Sequence, residues 1–132
     1  MNKTILLITF CLLSFCSKAQ YEVLFCTNAD SLGNCKEGGN EFVWNGEKFP
    51  LHLIVMNKNG LGTPKLKYMM FLMKNDREGV LNADLSLSVS PLGMFAVKKI
   101  FFFKPGYYKI DVLDEHDKYL ATGFVTITDR KD

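Results

Sequence analysis

Histidine is nearly missing from this chain: His52 and His116 are the only two. A hydrolytic triad or a zinc centre built on imidazoles therefore has almost nothing to draw on. Neither histidine is paired with a serine or cysteine in a recognisable motif. We expect no catalytic residue, no metal ligand and no cofactor. Asp114, Glu115, His116 and Asp117 crowd one short stretch. It lacks the spacing and the glycine of an EF-hand loop, so it reads as a solvated turn. Tryptophan occurs once, at Trp44, and proline only four times. No stretch sustains an apolar period of about 3.6 residues, which argues against a helical bundle. Internal repeats, low-complexity segments and long linkers are also missing.

What is present begins with a distinctive start. Asn2 and Lys3 precede an apolar run, Ile5 to Phe15, interrupted only by Thr9 and Ser14. Ser17-Lys18-Ala19 then offers small residues at the −3 and −1 positions of a cut before Gln20. That is the layout of a secretory signal peptide over residues 1–19, leaving residues 20–132 as one domain. The run falls short of the ~20 residues of a transmembrane helix, so no stable membrane span is expected after cleavage. Two alternatives are a retained anchor and lipoprotein processing at Cys16, which the bulky Phe15 before it fits poorly. The expected location is secreted or periplasmic.

Cleavage changes the charge. The 16 basic side chains lose Lys3 and Lys18, leaving 14 against 14 acids and a formal charge of zero. A neutral chain gives no electrostatic reason to expect nucleic acid as a partner. Cys11 and Cys16 also leave, so Cys26 and Cys35 remain as an even pair in an exported chain. A disulfide between them is expected.

The stretch from Lys99 to Thr128 carries the clearest fold signal. Ile100 to Phe103 suits a pleated strand. Lys104-Pro105-Gly106-Tyr107 predicts a type II turn, with proline second and glycine third. Tyr108, Ile110 and Val112 then alternate with Lys109 and Asp111. After the polar turn, Ala121, Gly123, Val125 and Ile127 alternate with Thr122, Phe124 and Thr126. Gly123 marks a bulge or a close backbone approach.

Upstream, Tyr21 to Cys26 reads as a first strand and Cys26 to Asn40 as a loop. Glu41 to Phe49, centred on Asn45-Gly46, predicts a hairpin with a type I′ turn. Phe49 to Met56, Lys65 to Met73, Val80 to Ser90 and Met94 to Phe103 supply further strands. Lys65 to Met73 is rich in helix-tolerant Leu and Met and is the least distinct of them. About seven to eight short strands joined by turns predict an all-β, antiparallel, immunoglobulin-like β-sandwich, with a small barrel as the alternative. Phe102, Pro105, Gly106, Tyr108 and Val112, followed by Leu120, Ala121, Gly123, Val125 and Ile127, resemble the last strands of bacterial secreted immunoglobulin-like modules. That resemblance implies a sandwich and names no chemistry. It also implies that the Tyr108 hydroxyl braces a strand corner.

Two strands carry large apolar groups on both faces, although a two-layer sandwich needs only one. Either the Cys26–Asn40 loop or the Asn-Gly hairpin covers them, or they form a docking or dimer patch. The candidate patch is Met69, Phe71, Met73, Phe101 and Phe103. Trp44 and Tyr107 are candidates for a glycan platform, since stacking on a sugar needs an exposed flat ring. The reading that follows is a non-enzymatic interaction module binding a protein partner or a second copy. The alternatives are a glycan-binding module, an enzyme inhibitor using the Cys26–Cys35 loop, and a small lipid-binding barrel.

Overall fold

A computed structural model describes residues 20–30, 32–74 and 79–129. The expected leader, with its cut after Ala19, lies outside these residues, as do residues 75–78 of the turn that the polar run 75–79 predicts. Nine strands are present among the described residues: β1 (Glu22–Ala29), β2 (Cys35–Gly39), β3 (Glu41–Val43), β4 (Phe49–Met56), β5 (Lys65–Met73), β6 (Gly79–Ser88), β7 (Phe95–Phe102), β8 (Gly106–Leu113) and β9 (Tyr119–Thr128). They form two sheets. Sheet I has the order β2-β1-β4-β7, and sheet II the order β3-β9-β8-β5-β6. Every pairing is antiparallel except β3 with β9. The layers stay separate, so the sandwich holds and the barrel alternative falls.

The core lies between the sheets and follows the period-two patterns. Phe25, Leu51, Leu53, Val55, Ile100 and Phe102 face it from sheet I. Leu66, Tyr68, Met70, Tyr108, Ile110, Val112, Val125 and Ile127 face it from sheet II. Gly123 is a close approach rather than a bulge: a Cβ there would lie 2.6 Å from Val23 Cγ1 and 2.9 Å from the Phe25 ring. The strand can approach β1 only because the side chain is missing. One end of the sandwich is closed by the β4–β5 loop, where Leu61 is buried and its amide donates to Gly93 O at 2.8 Å.

Three local expectations change. Asn45-Gly46 does not close a hairpin. β3 joins sheet II through Thr126 N–H to Asn40 O and Trp44 N–H to Thr128 O, while β4 enters sheet I. Gly46 has φ +90°, but Asn45 is not among the residues with positive φ, so the turn is not type I′. Its side chain instead accepts the Glu47 amide at 3.1 Å. Likewise, Gly106 has φ +158° and begins a strand, so the type II turn is not formed. The chain crosses there from sheet I to sheet II. Finally, the Cys26–Asn40 loop contains a strand, β2, whose residues are all exposed.

The Cys26–Cys35 disulfide is present, with a Cα–Cα distance of 5.6 Å, and ties β2 to β1. The loop between these strands is organised by Asp30, whose carboxylate accepts the amides of Leu32 and Asn34, each at 2.9 Å. It folds over the outside of sheet I. Gly33 sits so close to Phe95 that a Cβ would lie 2.9 Å from the ring. Ile54, which points away from the core, is 0% exposed. The loop therefore lies against Phe95 of β7, on sheet I, rather than against β5.

Candidate interaction surface

The outer face of sheet II is built by alternation. On β5, Leu66, Tyr68 and Met70 turn inward, so Met69, Phe71 and Met73 turn outward, half-buried. On β8 the outward residues are Tyr107, Lys109 and Asp111, and on β9 they include Thr122, Phe124 and Thr126. The register then sets rows across the sheet. Phe71 lies between Leu81 and Lys109, and Lys109 lies beside Phe124. Met73 lies beside Tyr107, and Tyr107 beside Thr126. Leu81 arrives through a register shift in β6. Met70 pairs with Ala83 and Phe71 with Leu81, leaving Asn82 as the extra residue. The bulge thus puts a leucine, half exposed at 50%, where an unbroken strand would put an asparagine.

The rings on this face have defined neighbours. Tyr107 and Phe124 stack with centroids 5.7 Å apart and planes 9° apart. The rings are parallel and displaced from overlap. Lys109 Nζ lies 5.0 Å from the centre of the Phe71 ring, a cation–π distance. The same ammonium is 3.8 Å from Asp111 Oδ2. Asp111 in turn accepts the Thr122 hydroxyl at 2.7 Å, and the Tyr119 and Thr122 hydroxyls share a bond at 2.7 Å. The result is an apolar band of Met73, Phe71, Leu81, Tyr107 and Phe124 beside a chain of polar contacts. Beyond Met69 the face becomes charged, where Lys67 pairs with Asp117 at 2.7 Å. That bond holds the Lys67 ammonium above its ordinary pKa.

The structure brings Met69, Phe71 and Met73 together and separates them from Phe101 and Phe103. Phe101 lies between buried Ile100 and Phe102 and so faces outward from sheet I, on the other side of the sandwich. Lys48 Nζ stands 4.4 Å over its ring. Phe103 follows the end of β7 and is 69% exposed. Trp44 and Tyr107 are also apart. Trp44 packs against the core, while Tyr107 belongs to the outer band. Phe124 and Leu81 were missed by sequence reasoning. The signal for Phe124 was visible, an aromatic among the threonines of β9's polar set. Leu81 depended on a bulge that nothing in the sequence announced. Near the acidic turn, Asp114 Oδ1 accepts the amides of His116 and Lys118 at 2.8 and 2.9 Å. The Lys118 bond above all lowers its pKa, and its visible work is shaping the turn.

No family model matches the chain, and no curated protein matches it. Among solved structures it is similar to an immunoglobulin-like protein from Pseudomonas aeruginosa. The TM-score is 0.53 at 12% identity, covering 83% of this chain and 98% of that one. An identity that low speaks to the fold alone. With the two-sheet topology, it makes the fold of this chain an all-β, immunoglobulin-like β-sandwich.

Proposed function

We propose that the chain is an exported, non-enzymatic interaction module that binds a protein through the outer face of sheet II. The observation that carries this is the contiguous band of Met73, Phe71, Leu81, Tyr107 and Phe124 on a face with no layer over it among the described residues. Apolar groups gathered in this way are the usual mark of a partner surface. Export after cleavage behind Ala19 fits the leader and the Cys26–Cys35 disulfide, which suits an oxidising compartment. A glycan reading has less support. Trp44 packs against the core and stands apart from Tyr107, so the two rings share no platform.

The test places a photo-crosslinker at Tyr107 in the producing cell. A discrete adduct is expected that disappears with Phe71→Ser and survives Phe101→Ser. An adduct of twice the chain mass identifies a second copy. No adduct, or equal loss with Phe101→Ser, overturns the proposal. Mass spectrometry of the exported chain should find Gln20 at its start.

A further inference from the structure

A second feature concerns an edge rather than a face. β9 has β8 along one side for its whole length, but β3 covers its other side only at residues 126–128. The Thr126 amide donates to Asn40 O, so the main-chain groups of Thr126 point to the β3 side. By the period of two, so do the N–H and C=O of Thr122 and Phe124. Both residues pair with β8 as the alternate, non-bonded positions of an antiparallel ladder, opposite Asp111 and Lys109. Among the described residues no strand takes up these groups.

Beside them lies an open groove of about 510 Å³, lined by Leu24, Gly38, Gly39, Asn40, Thr122 and Phe124 among others. Leu24 and Phe124 make its walls partly apolar, and Gly39, where a Cβ would meet nothing within 4 Å, leaves room for a backbone. β3 already shows that this edge accepts a strand, and the groove continues the line that β3 leaves vacant. A row of unpaired amides and carbonyls selects for one partner chemistry, another extended main chain.

We propose that the groove takes an extended segment of another polypeptide. The segment pairs with Thr122 and Phe124 and extends sheet II in line with β3. Apolar side chains at alternate positions would meet Leu24 and the Phe124 ring. This site is separate from the Phe71–Tyr107 band, although Phe124 borders both.

The test uses the exported protein and an end-blocked five-residue peptide alternating valine and threonine. Its control is the same peptide with alternate amide nitrogens methylated, which keeps the side chains and removes main-chain donors. At millimolar concentration the plain peptide should slow amide exchange at Thr122 and Phe124 at least tenfold, and the methylated peptide should not. Gly39→Val narrows the groove without strain, since a Cβ there meets nothing within 4 Å. It should leave the melting temperature unchanged and weaken the peptide effect at least tenfold. Three outcomes overturn the proposal: no slowing at these amides, equal slowing by both peptides, or protection that rises with protein concentration alone. The last would make the occupant a second copy. Phe71→Ser should leave the peptide effect intact, which separates this site from the band.

Discussion

The hydroxyl of Tyr108 donates to the carbonyl of Lys104 at 2.7 Å. It does so where the chain passes from β7 in sheet I to β8 in sheet II, four residues upstream of the tyrosine itself. The bond fixes a crossing that Pro105 alone leaves loose. Tyr68, also buried, has a hydroxyl with no partner among the described residues, and burial raises the pKa of both phenols. The two tyrosines should therefore respond oppositely to loss of the oxygen. Tyr108→Phe should lower unfolding free energy by about 1 kcal/mol, and Tyr68→Phe should leave it unchanged or raise it. Urea denaturation of the two variants checks both.

Gly123 and Val23 touch across the two layers. Gly123→Ala should destabilise by roughly 1–3 kcal/mol through overpacking. The double variant Val23→Ala with Gly123→Ala should recover part of that loss, because each substitution alters the same contact. Gly39→Ala, with open space around it, serves as the silent control.

The disulfide anchors the loop whose Gly33 lies against Phe95 on the outside of sheet I. Replacing Cys26 and Cys35 with alanine should cost roughly 2–3 kcal/mol on the chain-entropy account of a short loop. Hydrogen exchange should show the loss concentrated in β2 and the outer side of β4. An intact β2 with uniform loss across both sheets would contradict this placement.

Acid should act through the two aspartates that shape turns. Asp30 is held below its ordinary pKa of 3.8, first by the Asn34 side chain. Asp114 is held below the same value, first by the Lys118 amide. A folded pKa below the unfolded one stabilises above the unfolded value and fades as pH falls through the folded value. Melting temperature should therefore drop below about pH 4, and Asp30→Asn with Asp114→Asn should flatten that limb. Lys67 has the opposite sign. Its contribution is complete below 10.5 and fades as pH rises through its higher folded value. All three groups are exposed, so added salt should shrink each effect.

The strands that alternate cleanly were legible from residues alone. Tyr108, Ile110 and Val112, or Leu85 and Leu87 against serines, announce which side is wet. The disulfide was legible from the leader-like start and the even cysteine count that its removal would leave. Sheet membership was not. Asn45-Gly46 states that the chain turns, and nothing in the dipeptide says that Phe42 and Trp44 will pack with β9 while Phe49 leaves for sheet I. β2 was hidden because Cys-Lys-Glu-Gly-Gly has little strand propensity, and its pairing is imposed by the disulfide and by β1. The apolar band was half legible. Phe71 and Met73 stood out as surplus, whereas their companions came from register, a property of pairs of strands. Phe101 stood out for the same reason and sits on the opposite side.

β3 meets β9 across a long stretch of chain: the Thr128 hydroxyl donates to Phe42 O at 3.2 Å over a separation of 86 residues. During synthesis, or on emergence from a translocation pore with the N-terminus first, β3 has no partner until the final strand arrives. β8 already has β5 to pair with by then, so the arrival of β9 adds the β8–β9 and β3–β9 ladders together. The last ten residues of the sandwich act as a latch, and a chain cut before Tyr119 would leave Tyr108, Ile110 and Phe42 open to water. High separation of this kind also makes for slow folding, since a long loop must close before its contacts repay it.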